Sequence, residues 1–247
     1  MKKILLILGL ATLLFSTEIA IMSEDGFKLY GWLDKPTPTK KSAPIILFAH
    51  QFGSEHSTWN AMAKEFNDRG YATLNVDLRG HGKSIFQNKK ENKAILDARM
   101  DHIKEALAHS DEKIGFEKIP TDLIAWLELM SEDQTIDMKN LYLFGASLGA
   151  GSLIPLLSEY EAKGLVALSA GKPTALAEDI DMALGASMTK TLFIASQNDP
   201  LGATNRTIEY GKKAIFGMSL ILYGDGHGTA LLPEAKRYIF SYMENVK

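Results

Sequence analysis

Cysteine is absent from all 247 residues. That excludes disulfides, thiolate nucleophiles, zinc–thiolate sites and lipid attachment through a cysteine. Runs of like charge are missing too. The net charge of −3 is spread along the chain with no basic stretch, so a nucleic-acid partner is not expected. The six histidines show neither His-x-x-x-His nor His-Glu-x-x-His spacing, and neither a metal nor another cofactor is expected. What the chain does have is apolar content, 46 % of its residues, enough to bury a large core in one α/β domain.

The first residues read as something other than fold. Met1-Lys2-Lys3 is a short positive segment, and Ile4 to Phe15 is a continuous apolar run of signal-peptide length, too short for an ordinary spanning helix. Residues 1–17 are therefore expected to be a signal peptide or an N-terminal anchor, the alternative being a buried first strand or helix. Glu18 stands three residues ahead of a cleavage after Ala20, where a small residue is wanted, and this favours cleavage near Ser16. Export is expected, to the periplasm or the medium; retention of the segment would associate the protein with a membrane.

From Glu18 onward strand and helix patterns alternate. Glu18 to Met22 and Phe27 to Leu33 flank a Ser-Glu-Asp-Gly26 turn and predict an antiparallel hairpin. Apolar strand runs follow at Pro44 to His50, Tyr71 to Asp77, Leu141 to Phe144, Gly164 to Ser169, Thr191 to Ser196 and Met218 to Tyr223. Between them Trp59, Met62, Ala63 and Phe66 recur at helical spacing, as do Leu123, Trp126, Leu127 and Met130, then Ala235, Tyr238, Ile239 and Tyr242. The pattern predicts an α/β fold: a mostly parallel eight-stranded sheet with an N-terminal antiparallel hairpin and helices on both faces. Gln87 to Lys93 reads as a solvated loop or helix start, Trp32, Trp59 and Trp126 as core, and Pro155 as a kink in the helix after Ser147.

In such a sheet ligands bind beyond the carboxyl ends of the strands. Those ends carry His50-Gln51-Phe52-Gly53, then Asp77 to Ser84, then Gly145-Ala-Ser147-Leu-Gly149, then Asp199-Pro200, then Gly224-Asp225-Gly226-His227-Gly228. Gly-x-Ser-x-Gly between a strand and a helix is the turn that lifts a serine hydroxyl above a sheet, with glycines where a side chain would collide with backbone. A serine, an acid and a histidine then follow in that chain order, each at the end of a different strand. Asp225 is nearer His227 in sequence, but Asp199 sits on the end of the preceding strand, a more rigid anchor. His50 and His81 read as braces of loop backbone, and Arg79 with Asp77 as a loop-bracing ion pair.

Four motifs, the His50 to Gly53 turn, Asp77 to Ser84, the Ser147 elbow, and Asp199 with His227, together resemble the α/β-hydrolases, in particular the small serine-esterase and dienelactone-hydrolase-like branch, over Glu18 to the C-terminus. The resemblance implies Ser147 as nucleophile, His227 as base, Asp199 as orienting acid, and the backbone N–H groups of Phe52 and Leu148 as an oxyanion hole. Two features depart from the pattern of relatives: Gln51 replaces the glycine that commonly follows the histidine, and the elbow carries serine rather than the cysteine of dienelactone hydrolases or the aspartate of dehalogenases. The interval from Ser169 to Thr191 has room for one helix, with Met182, Leu184 and Met188, so no large cap is expected. The extra length lies in residues 85–118, where Leu96, Met100, Ile103 and Leu107 form a helical stripe. This is either a helix packed on the body or a small lid, with Met100, Ile103 and Met182 as acyl-pocket candidates. The expected activity is that of a serine hydrolase on a small-molecule carboxylic ester or thioester. A peptidase or acyltransferase on the same residues, and a catalytically silent binding protein of the same fold, are the alternatives.

Overall fold

The computed structural model describes residues 16–37, 42–95 and 102–246. The predicted alternation is realised as ten strands and seven α-helices among these residues. The strands are β1 (Thr17–Met22), β2 (Phe27–Asp34), β3 (Ala43–Ala49), β4 (Ala72–Val76), β5 (Phe86–Gln87), β6 (Lys90–Glu91), β7 (Ile136–Ala146), β8 (Gly164–Leu168), β9 (Lys190–Ser196) and β10 (Phe216–Leu222). The helices are α1 (Asn60–Asn67), α2 (Ile103–Ile114), α3 (Ile119–Ser131), α4 (Leu148–Leu153), α5 (Ala177–Ala186), α6 (Ala203–Lys213) and α7 (Leu232–Asn245).

One sheet runs β10-β9-β8-β7-β3-β4-β2, with every pair from β10 to β4 parallel and β2 antiparallel to β4. β1 closes the sheet as the antiparallel partner of β2, the predicted hairpin. The sheet exceeds the expected eight strands by a miniature hairpin, β5 and β6, which pairs with Phe27 and Lys28 of β2. It occupies the polar stretch from Gln87 that reads as loop or helix start. Asn88 and Lys89 turn it with φ of 50° and 66°, and strands of two residues show no alternation for a sequence pattern to reveal.

Period-two alternation divides the core between the two faces of the sheet. Ile45, Leu47, Leu141 and Leu143 join one cluster with Leu123, Trp126, Ile180 and Ala183 of α3 and α5. Ile46, Phe48, Tyr142 and Phe144 join the other with Trp59, Phe66 and Ile239 from the α1 and α7 side. Burial on both faces is why these strands read as unbroken apolar runs. Trp59 and Trp126 are core residues as expected. Trp32 is only partly buried and stacks on His56 with ring centroids 3.3 Å apart. At Pro155 the helix changes rather than merely bends: α4 ends at Leu153 and a 3₁₀ segment, Ile154–Ser158, takes over with the proline near its start, where the missing N–H costs nothing.

Two further sequence expectations change. Arg79 does not pair with Asp77. Its buried guanidinium grips Asp122 of α3 through Nε and Nη2, both at 2.7 Å, and reaches Asp25 of the β1–β2 turn at 3.0 Å. Asp77 is taken by His56, through both Nδ1 and the backbone N–H at 2.8 Å, and by the N–H of Lys83 at 2.7 Å. Between Ser169 and Thr191 lies the single helix α5 with no large cap, as expected, but Met182 is turned outward and 60 % exposed. Residues 1–15, which carry the export expectation, and Leu96 and Met100 of the helical stripe lie outside the described residues. Among the described residues, no helix is long and apolar enough to cross a membrane.

Candidate active site

Ser147 occupies the turn between β7 and α4 with φ 46° and ψ −111°, a conformation non-glycine residues rarely adopt. The surroundings leave it no alternative. A Cβ on Gly145 would lie 2.5 Å from the Cα of Ala150, and one on Gly149 would lie 2.5 Å from the carbonyl oxygen of His50. The turn is pinned further by the Ser147 N–H donating to Leu168 at 2.8 Å, and by the Ser147 carbonyl accepting from Gly151 and Gly171 at 3.0 and 2.8 Å.

The close approach at Gly149 docks this elbow against the turn after β3, with the Gly149 N–H donating to the carbonyl of His50 at 3.2 Å. That turn carries Phe52, which lines the same cavity as Ser147 and Leu148. Leu148 is the first residue of α4, so its N–H has no acceptor within the helix. His50 braces the arrangement: Nε2 accepts the Leu78 N–H at 3.0 Å and Nδ1 donates to the carbonyl of Gln51 at 2.7 Å. His81 donates from Nδ1 to the carbonyl of Arg79 at 3.0 Å. Both imidazoles are buried, as the bracing role expected of them requires. Burial, with His81 close by, pushes His50 down to about 3, and burial pushes His81 down to about 4.

Geometry separates the two candidate carboxylates. Asp199, buried at the end of β9, meets His227 Nδ1 with both carboxylate oxygens, at 3.0 and 2.9 Å; Asp225 is exposed. Burial alone would raise the Asp199 carboxyl, but hydrogen bonds from His227, Ser169 and the Leu201 N–H hold it below the ordinary carboxylate range. His227 Nε2 is buried and hydrogen-bonds to no described residue, and His227 lines the cavity with Ser147.

Two contributors escape sequence reasoning. Ser169, fully buried and strained at φ 47°, accepts the Gly228 N–H at 3.0 Å while its hydroxyl serves Asp199. It thereby ties the end of β8 to both the acid and the histidine loop. Its place at a strand's carboxyl end was the available signal. Gln51, the departure from glycine, donates to Thr229 Oγ1 at 3.0 Å and accepts the Thr229 N–H at 3.3 Å, clasping the His227 loop. No sequence rule links residues so far apart in the chain.

The cavity measures about 330 Å³, the lower end of the range for small-molecule sites. Ile103, Leu107 and Phe116 give it an apolar wall, and Lys172, Thr174, Leu201 and Arg206 supply another part of its lining. Of the acyl-pocket candidates Ile103 lines this cavity, and Met182 is not among the lining residues. No group of three or more histidine, aspartate or glutamate side chains among the described residues could hold a metal ion. Chemically, the site combines a hydroxyl on a strained turn with an imidazole oriented by a buried carboxylate at one small cavity.

A family model described as serine aminopeptidase, S33, matches residues 40–193. No curated protein matches the sequence. Among solved structures, Est1E from Butyrivibrio proteoclasticus is similar with a TM-score of 0.69 at 16 % identity, covering 94 % of this chain and 99 % of that one. The Pyrococcus furiosus esterase Pf2001 gives 0.68 at 17 % identity, covering 94 % and 89 %. The esterase EaEST from Exiguobacterium antarcticum gives 0.63 at 14 %, covering 92 % and 98 %. At these identities the likeness is one of fold.

Proposed function

Because the chain belongs to the S33 serine aminopeptidase family of α/β-hydrolases, we propose that it is a serine hydrolase that cleaves carboxylic esters through an acyl-enzyme. The observation that carries this reading is the Asp199–His227 pair with its unpartnered Nε2 on the cavity that Ser147 lines. Ser147 Oγ attacks the acyl carbon and gives its proton to His227 Nε2. Asp199 holds Nδ1–H, fixing the tautomer and stabilising the imidazolium. The backbone N–H groups of Phe52 and Leu148 receive the oxyanion. His227 then protonates the departing alcohol, and water, activated by the same imidazole, releases the acid and restores Ser147.

Charge favours an ester over a peptide amino terminus. An aminopeptidase site must hold an ammonium group, whereas among the described residues the charged side chains lining this cavity are Lys104, Lys172 and Arg206 against Asp111. For localisation, the apolar segment after Lys2 and Lys3 supports export; fusing residues 1–25 to a reporter active only outside the cytoplasm tests it.

A fluorophosphonate probe should label the purified protein and p-nitrophenyl esters should be hydrolysed. Ser147→Ala should fold normally, lose labelling and lose turnover by several orders of magnitude. Unchanged turnover in that variant would refute the mechanism, and a wild-type protein that neither labels nor hydrolyses would leave the silent binding protein.

A further inference from the structure

Ester hydrolysis explains Ser147, Asp199 and His227 but makes no use of the cations on the cavity wall. The whole chain is net negative, −3, while the described residues of the cavity lining are net positive. Local partners separate the charges. Asp111 is occupied by the Phe116 N–H at 2.8 Å. Lys172 is matched by Asp181 at 3.3 Å and Glu209 at 3.8 Å. Arg206, half-buried on α6, is different. Its Nε donates to the carbonyl of Ala170 at 3.0 Å, and among the described residues no carboxylate pairs with it. The anchor point fixes where the guanidinium sits. Ala170 precedes Gly171, whose N–H donates to the carbonyl of Ser147 at 2.8 Å, so Arg206 is clipped to the backbone that supports the serine turn and lines the same cavity.

We propose that Arg206 binds a carboxylate of the substrate, so that the preferred esters carry a negative charge on the acid or on the alcohol. A guanidinium held by Nε keeps its two outer nitrogens in a planar fork that matches a carboxylate, and half-burial strengthens such a pair relative to open water. An arginine needed only to brace the loop would use the Ala170 bond and produce no discrimination by charge. That the ligands are esters rests on the hydrolase reading; that the site takes a carboxylate rests on the cavity's own charges.

Two matched substrate pairs separate the acid side from the alcohol side. These are p-nitrophenyl hemiglutarate against p-nitrophenyl pentanoate, and 4-carboxyphenyl pentanoate against 4-carbamoylphenyl pentanoate. One pair should show a preference in kcat/KM for the anion of about tenfold or more, carried mainly by KM, the size expected of a charge-assisted pair. Arg206→Gln should remove that preference, Arg206→Lys should keep part of it, and molar salt should shrink it in the wild type. Indifference of the wild type to charge in both pairs, or a preference that Arg206→Gln leaves intact, overturns the proposal. Calorimetry of glutarate with the Ser147→Ala protein reads the site without turnover. Glutarate binding that Arg206→Gln weakens, in a protein that hydrolyses no ester, would sink the hydrolase reading and uphold the carboxylate site. Hydrolysis of neutral esters with neither glutarate binding nor charge preference would do the reverse.

Discussion

Asp199 and Asp225 both lie near His227, one through space and one along the chain, and only one is held. Asp225 is two residues away in sequence but exposed, whereas Asp199 is fixed by the N–H groups of Leu201 and Ala203 at 2.9 and 3.3 Å as well as by His227. Asp199→Asn should lower kcat by as much as about 10⁴ if the wrong tautomer is imposed, and Asp225→Asn only modestly; steady-state kinetics of the two variants decides, and the reverse order would mean the acid is misassigned. Ser169 acts one step further out, through Asp199 and Gly228. Removing its hydroxyl should loosen the pair without touching substrate. Ser169→Ala is therefore expected to lower kcat by about tenfold, the low end for losing a hydrogen bond to a charged group, with KM held. A loss expressed in KM would assign Ser169 to binding instead.

At the scale of elements, α2 is the part whose role the body of the fold does not dictate. It buries Ala106, Ser110 and Ile114, ends at Gly115 in the left-handed region, and offers Ile103 and Leu107 to the cavity while Leu107 stays partly exposed. One face thus packs on the body and another lines the cavity. Replacing Ile103 and Leu107 with serine should raise KM more for an octanoate ester than for an acetate, since each lost methylene contact counts only for an acyl chain long enough to reach it. Equal KM changes across chain lengths, with a lower melting temperature, would reduce α2 to packing alone.

For the whole molecule, the buried histidines make stability depend on pH in a definite direction. His50 and His81 stay neutral in the folded protein down to about 3 and about 4, against an ordinary 6.5. Between 6.5 and those values the unfolded chain binds protons that the folded chain refuses, so stability is full above 6.5 and falls as the pH drops. At pH 5 each histidine should cost on the order of 2 kcal/mol. Thermal unfolding followed from pH 7 to pH 5 should show the decline, and His81→Gln should make it shallower. An unaltered slope in that variant would place the acid sensitivity elsewhere.

What is legible in the chain is what local rules govern. Period-two runs and helical stripes located the strands and helices because those periods arise from backbone geometry alone. Gly145, Ser147 and Gly149 marked the elbow because a strained turn restricts residue types within a few positions. Asp199 followed from the principle that sheets gather ligand-binding groups at strand ends. Which distant side chains meet follows only from packing in three dimensions. Arg79 chose Asp122 and Asp25 because His56 and Lys83 already occupied Asp77. Met182 faced water because the buried stripe of α5 runs through Ile180, Ala183 and Leu184, and no periodicity says which side of a short helix meets the cavity. Ser169, Gln51 and Arg206 gained their places from loops at the ends of separate strands, and contacts of that range follow from the packed sheet, not from spacing along the chain.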